Sequence, residues 1–325
     1  MITRISTKNM AREDWLNERR KSIGGSEIGA IMGLNKYQSA VSVWANKSGI
    51  VPDAEPNEAM IQGTDLEAYV AERFTRLTGI RARHCNCIIR NTDFPHIHAN
   101  VDRLIIGEAA GLECKTASAL SVGKFRGGEF PASYYAQCVA YMAITELPAW
   151  YLAVLVLGKE FKVFRMVRAG QEESCPGWCE SVTVVDDAEL AAIKAAAIGF
   201  WQHVEDGTMP AVDDSVATAQ ALGITYLGGN QEAVDLADIE YAINDLIRLK
   251  AEKQQLDNKI RLAENHIKKR MENSEIGVTS ACIVTWKPRF RRVFDKASLA
   301  LEHPEIDLSK YYKMSESRVF KIKED

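Results

Sequence analysis

Three charged residues in the middle of the chain, Asp102, Glu113 and Lys115, have the types and spacing to do chemistry. Glu113 and Lys115 lie in "GLECKTAS" (111–118), which otherwise reads as a buried strand. Successive strand side chains point to opposite faces, so Glu113 and Lys115 share one face and Cys114 takes the other. A buried charge is costly unless it is paired or ligates a metal. Asp102 sits upstream in a second strand-like run, "ANVDRLI", and the turn "IGEAAG" would lay the two strands side by side. That brings Asp102 and Glu113 to one point. Two converging carboxylates without a histidine cluster suit a hard, oxygen-seeking cation such as Mg²⁺. Lys115 beside them would orient or deprotonate a water, or balance the charge of an anionic substrate. The set suits metal-assisted phosphodiester hydrolysis. An E-x-K triplet also arises as an exposed cross-strand ion pair, so the triplet alone does not carry that reading.

The elements that must position these residues follow from periodicity. "GGSEIGAIMGL" (24–34) reads as a glycine-rich turn and a short helix entered through Ser26, a good N-cap residue. "SAVSVWANKSGI" (39–50) is a second helix stopped at Gly49. Residues 57–80 place Leu66, Val70, Phe74 and Leu77 on one face of a strong amphipathic helix. Strand-like runs follow at 84–90, 96–106 and 111–117, then a helix over 133–145. "WYLAVLVLG" and "FKVFRMVR" flank a Gly-Lys-Glu turn as a hairpin, and 187–207 is an alanine-rich helix.

Beyond a looser stretch (208–230) the character changes. From Glu232 to Asn273 charges are many and breakers few. Leu236, Ile239, Ile243 and Leu246 keep one 3-4 spacing, and Leu256, Ile260, Ala263 and Ile267 keep another, out of phase around "RLKAEKQQ". One long helix or a helical hairpin with a narrow apolar seam is expected, suited to packing on another helix or protomer. "ACIVTWKPRFRRVFD" (281–295) and "RVFKIK" (318–323) read as strands of a small terminal sheet.

With 325 residues the chain has material for about two domains at roughly 150 residues each. Its 46% hydrophobic and 26% charged content is ordinary for a soluble globular protein. The run "AWYLAVLVLG" is too short to span a bilayer, and "MITRISTKNMAREDW" lacks the apolar core of a signal peptide. A cytoplasmic protein is expected, with no membrane partner. The net charge of −4 excludes a protein coated in positive charge, though not a basic groove. The clusters "RRK" (19–21) and "KPRFRR" (287–292) are each compatible with a solvated face or a DNA-backbone contact. Of the seven cysteines, Cys85 and Cys87 can share a strand face and Cys175-x3-Cys179 lies in a loop. A four-cysteine metal site is conceivable, but neither spacing is C-x2-C.

Four blocks in order, "WLNERRKSIGGSEIGAIMG", "GTDLEAYVAERF", "HANVDRLI…GLECKTAS" and "YYAQCVAYM", resemble the lambda-exonuclease/YqaJ family of phage recombination nucleases, within the PD-(D/E)xK superfamily. They cover residues 15 to about 145, and the hairpin and helix extend the match to about 205. The resemblance implies an α/β fold: a PD-(D/E)xK nuclease core with a mixed central sheet flanked by helices, followed by a C-terminal helical arm and small β-sheet. Domains of 1–213 and 230–325 follow. It implies that Asp102 and Glu113 are metal ligands, with the Cys114 backbone carbonyl a third, and that Lys115 is the catalytic lysine. Glu67 matches an acidic residue bordering the metal site and is a further candidate ligand. Gln137 matches an active-site glutamine that positions the nucleophile or a phosphate. Arg19 and Ser26 match a pair that grips a 5′-terminal phosphate; Arg20 is an equally placed rival to Arg19. Asn100 stands where lambda exonuclease has a serine near the metal, a modest departure.

The activity so implied is a Mg²⁺- or Mn²⁺-dependent 5′-to-3′ exonuclease, with two ions, acting on double-stranded DNA ends. It would leave 3′ single-stranded overhangs for homologous recombination. A ring-shaped homotrimer, a single-strand annealing protein as partner, and a phage or prophage gene in a bacterial host are implied with it. An endonuclease of the same superfamily, resolvase- or restriction-like, is the alternative within the class. A non-catalytic DNA-binding scaffold on a nuclease fold is the alternative outside it, which the intact Asp102, Glu113 and Lys115 oppose. The part after about 230 has no counterpart in lambda exonuclease.

Overall fold

A computed structural model describes residues 1–53, 55–171, 174–314 and 316–322. The chain divides into two compact units, Met1–Tyr226 and Leu227–Asp325. The fold of the first is mixed α/β.

In chain order the first unit comprises β1 (Ile2–Ser6), α1 (Arg12–Arg20), β2 (Ile23–Gly24), α2 (Ile28–Ile31), α3 (Ala40–Lys47) and α4 (Glu58–Thr78). Then come β3 (Ala82–His84), β4 (Cys87–Asn91), β5 (Phe94–Asn100), β6 (Arg103–Ile105) and β7 (Ala110–Ala117). The unit closes with α5 (Ala132–Thr145), β8 (Ala149–Val156), β9 (Glu160–Arg168), β10 (Val182–Val185), α6 (Asp187–Glu205) and α7 (Val216–Thr225). A six-stranded sheet runs in the order β10-β9-β8-β7-β6-β3, and a four-stranded one in the order β1-β4-β5-β2. The larger sheet is mixed: β7 pairs parallel to β8 and β9 to β10, while its other pairs are antiparallel.

The central strand β8 shows why the sheet is where it is. Trp150, Leu152, Val154 and Val156 join one buried layer with α5 and α6, while Tyr151 and Ala153 join a second with α4. A strand covered on both faces needs an unbroken apolar run, which "AWYLAVLV" supplies. Against it, β7 must approach closely: a Cβ at Gly111 would collide with the Trp150 indole. Helix α4 is held by Asn57 at its N-cap and by Gly79, left-handed at φ 77°, at its end. Its buried residues are Val70, Ala71 and Phe74, whereas Leu77, expected on that face, is 47% exposed.

Two expected strands are each divided between the sheets. Residues 96–106 do not form one strand: the chain leaves the small sheet at Asn100 and enters the large one at Arg103. Residues 84–90 likewise break between His84 and Cys87, at Asn86, whose φ is +50°. Other expectations also change. Residues 216–225, expected within a loose stretch, form α7 and pack on α3. Ser26 is not a helix N-cap; it lies inside a 3-10 turn, Gly25–Glu27, and Glu27 precedes α2.

The second unit contains α8 (Glu240–Met271), the two-stranded sheet of β11 (Ile276–Val278) and β12 (Ile283–Thr285), and α9 (Lys296–Glu302). Helix α8 is one 32-residue helix, not a hairpin. The small sheet stops at Thr285. Residues 286–295 and 318–322, expected as strands, have no regular structure; residue 323 lies outside the described residues. Among the described residues no helix is long and apolar enough to cross a membrane.

Candidate active site

The crossover between the two sheets builds the site. Antiparallel pairing of β6 and β7 sets Arg103 opposite Leu112, so the next step back along β6 brings Asp102 level with Glu113. Asp102 Oδ2 accepts a hydrogen bond from the Cys114 backbone N–H at 2.8 Å. The N–H and C=O of one strand residue point to the same edge. The Cys114 carbonyl therefore faces Asp102, beyond the end of β6.

On the neighbouring face of β7, Lys115 Nζ lies 2.6 Å from Glu113 Oε1. Gln137, one turn before Tyr141 on α5, ties both: its Oε1 accepts from Lys115 Nζ at 2.9 Å and its Nε2 donates to Glu113 Oε1 at 2.7 Å. Tyr141 lies 3.1 Å from Gln137 Nε2, and its hydroxyl donates to the Asn100 carbonyl at 3.0 Å. Glu113 is 3% exposed, and its second oxygen, Oε2, is buried without a hydrogen-bond partner.

Electrostatics follow from that burial. Desolvation, then the charges of Glu113 and Glu67, push the Asp102 carboxyl well above the usual carboxylate range. Desolvation raises Glu113 too, against the opposing pull of Lys115 and Gln137. Burial alone would lower the Lys115 ammonium, but Glu113 and Asp102 outweigh it and hold it above the ordinary lysine value. The carboxylates are thus short of positive charge, and one of their oxygens lacks any donor.

Among the described residues no three His, Cys, Asp or Glu side chains converge closely enough to cage a metal ion. Mg²⁺ does not ask for such a cage: it keeps several waters and takes one or two carboxylates. Asp102, Glu113 Oε2 and the Cys114 carbonyl fit that demand. Glu67 borders the site, but its carboxylate is engaged by Arg103, whose Nη1 also donates to the Asp102 carbonyl at 2.8 Å. The structure thus gives Glu67 a cationic partner within the chain. A cleft of about 440 Å³ opens beside Asp102, lined by Trp15, Thr64, Glu67, Asn100 and Arg103 among others.

Arg19 and Arg20 part company. Arg20 is ion-paired with Asp53, which Asn46 also holds. Arg19 lies over the Trp15 ring, 4.6 Å from its centroid; the Nε of both arginines is buried without a partner. The Arg19 guanidinium reaches the glycine turn before Ser26, where Nη2 is 3.4 Å from a Cβ built on Gly24. Ser26 itself is exposed. Lys47 clamps this turn: it binds the Arg19 carbonyl at 3.0 Å and Glu27 Oε2 at 2.8 Å, and Glu27 accepts the Gly24 N–H at 2.6 Å.

Sequence reasoning missed Arg103, Tyr141, Lys47 and His98. Tyr141 had a signal, since it stands four residues after Gln137 on one helix face. Lys47 and His98 reach the turn only through tertiary packing. Among the described residues the cysteines build no shared metal site: Cys85 and Cys87 place their sulfurs 3.2 Å apart, while Cys175 binds the Cys179 carbonyl.

The YqaJ-like viral recombinase domain model matches residues 14–148, which include Arg19, Ser26, Glu67, Asp102, Glu113, Lys115 and Gln137. YqaJ of Bacillus subtilis (strain 168) is 34% identical over 321 residues, covering 97% of this chain and 95% of its own. Among solved structures, an alkaline exonuclease from Laribacter hongkongensis is similar at a TM-score of 0.48 and 20% identity, over 60% of this chain and 93% of that one. A phage-related exonuclease from Haemophilus somnus 129PT is similar at 0.39 and 12%, over 59% and 97%. The chain belongs to the family of the YqaJ-like viral recombinase domain.

Proposed function

We propose that this chain is a metal-dependent DNA nuclease, and specifically an exonuclease that degrades the 5′ strand of a duplex end. The observation that carries the proposal is the pair of half-buried Asp102 and buried Glu113, level across β6 and β7, with Glu113 Oε2 left without a donor. A divalent cation would answer that deficit, and Lewis-acid polarisation of a phosphate oxygen is the chemistry Mg²⁺ or Mn²⁺ supplies at such a pair.

The chain's own residues do the rest. Lys115, kept cationic by its carboxylate neighbours, orients the attacking water or steadies the charge that builds on the phosphate. Gln137 fixes Lys115 and Glu113 relative to one another. Arg19 offers a forked donor for the 5′ phosphate and Ser26 a hydroxyl beside it. The resemblance adds two ions, a ring of three copies around the DNA and an annealing partner for the 3′ strand. It adds action in the cytoplasm of a bacterial host, from a phage or prophage gene. A ring would hold the enzyme on its substrate without a positive overall charge.

Linear duplexes labelled separately at each 5′ and 3′ end, digested with Mg²⁺ or with EDTA, decide the activity. Early release of the 5′ label as mononucleotides, only with metal, is expected. Cleavage of covalently closed circles, or early release of the 3′ label, contradicts it.

A further inference from the structure

Helix α8 carries a long apolar seam that its own unit leaves largely uncovered, Leu246 alone being half-buried among its large residues. Ala242, Leu246, Leu249 and Lys253 follow one another at steps of four, three and four residues. Leu256, Ile260, Ala263 and Ile267 continue the alternation without a break. Leu236 and Ile243 of the first set lie one residue out of phase with this series, as expected; from Leu246 onward Leu249 and Lys253 carry the second phase without a break, Lys253 replacing an apolar residue. Leu249, Leu256, Ile260 and Ile267 are 48%, 57%, 49% and 45% exposed. A 3.5-residue repeat sustained over nearly four heptads, roughly 38 Å of helix, is the pattern of a coiled coil.

The charges flanking the seam select its occupant. In an antiparallel pair of two α8 helices, with Lys253 level with Leu256 of the second copy, Glu252 faces Lys259 and Lys250 faces Asp257. Each contact occurs twice by symmetry, and Asp245 comes to His266. No like charges meet. Sliding the helices by one heptad in one direction sets Lys259 on Lys259 and Asp257 on Asp257; the other direction sets Glu252 on Glu252 and Lys250 on Lys250. A parallel, in-register pair sets Glu252 against Asp257. The in-helix bonds of Arg248 to Asp245 and Glu252 join exposed side chains and compete weakly. A lone Lys at a seam position further penalises registers that bury it deeper.

We propose that α8 pairs with the α8 of a second copy as an antiparallel coiled coil in this one register. Such a two-fold contact cannot close inside a three-fold ring. If the first units form rings, the arms therefore join two rings; if they do not, the arms join two chains. Seam disruption halves the mass either way.

The test is the mass of the full chain, free of DNA, by light scattering after size exclusion. Ile260→Glu, a substitution at an exposed position, should halve the mass with helix content unchanged by circular dichroism. Glu252→Lys should weaken the association roughly 4- to 30-fold, since two attractive contacts become repulsive. Glu252→Lys/Lys259→Glu should restore it. An unchanged mass for Ile260→Glu overturns the pairing. Tighter association of Glu252→Lys overturns the antiparallel register, because in a parallel pair that lysine would meet Asp257.

Discussion

Lys115 and Gln137 are joined by a 2.9 Å hydrogen bond from ammonium to amide oxygen, which fixes the amide's orientation and aims its nitrogen at Glu113. Side chains that hold a metal ligand in place usually matter 10- to 100-fold for metal affinity or activity. Gln137→Leu should lower nuclease activity by about that factor and shift the Mg²⁺ titration to higher concentration, with the melting temperature little changed. Full activity at ordinary Mg²⁺ would remove Gln137 from the site.

Lys115 is expected to act on the rate. Lys115→Ala should cost about 10²- to 10⁴-fold in single-turnover cleavage, the range for a positioned proton-handling group. Affinity for a duplex end, measured with Ca²⁺ in place of Mg²⁺, should stay near wild type. Equal losses of binding and rate would make the lysine a plain phosphate contact.

The glycine turn and the site are linked through one ring. A Cβ at Gly25 would collide with the Tyr141 side chain, whose hydroxyl contacts Gln137 and Asn100. Gly25→Ala should destabilise the protein by about 1–3 kcal/mol, the usual cost of overpacking, measured by denaturant unfolding. It should also lower activity more than that stability loss alone explains.

How much of this was legible beforehand depends on the kind of contact. The pairing of Asp102 with Glu113 was readable because two strands joined by a short turn must lie together. The division of residues 96–106 between two sheets was not. Nothing local distinguishes a continuous strand from one whose halves hydrogen-bond to different partners. Helix α5 was legible; its glutamine's two hydrogen bonds required β7 beneath it. The small strand β1 was missed because its alternation is weak, and it is ordered by pairing with β4. The terminal sheet was over-read, since β-branched and aromatic residues at 286–295 find no partner strand.

Arg19 and Arg20 were indistinguishable in the sequence, and the structure separates them. Arg20→Ala should leave the preference for 5′-phosphorylated over 5′-hydroxyl ends intact, because Arg20 already serves Asp53. Arg19→Ala should erase a preference of roughly 10- to 150-fold, the value of one charge-assisted contact. Digestion rates on the two kinds of end check this, and the reverse outcome would reassign the residue.

His98 is fully buried, bonded to Ser22 through Nδ1 at 2.8 Å, and burial with the charges of Arg19, Lys47 and Arg90 holds its pKa well below the usual histidine value. The unfolded chain therefore binds a proton here before the folded one does. Stability tied to His98 is present above pH about 6.5 and is lost as pH falls below it, at most about 1.4 kcal/mol per pH unit. His98→Gln should flatten the unfolding free energy between pH 7 and 5 relative to wild type. An unchanged slope would show that other groups set it.

If Asp102 and Glu113 together hold the cation on which cleavage depends, loss of either carboxylate ends the reaction. The deciding measurement is release of nucleotides from a 5′-phosphorylated linear duplex in Mg²⁺ by wild type, Asp102→Ala and Glu113→Ala, each verified as folded by its melting curve. Activity is expected in wild type and none detectable in either variant, although both still bind the duplex end. A rate near wild type in either folded variant would contradict it.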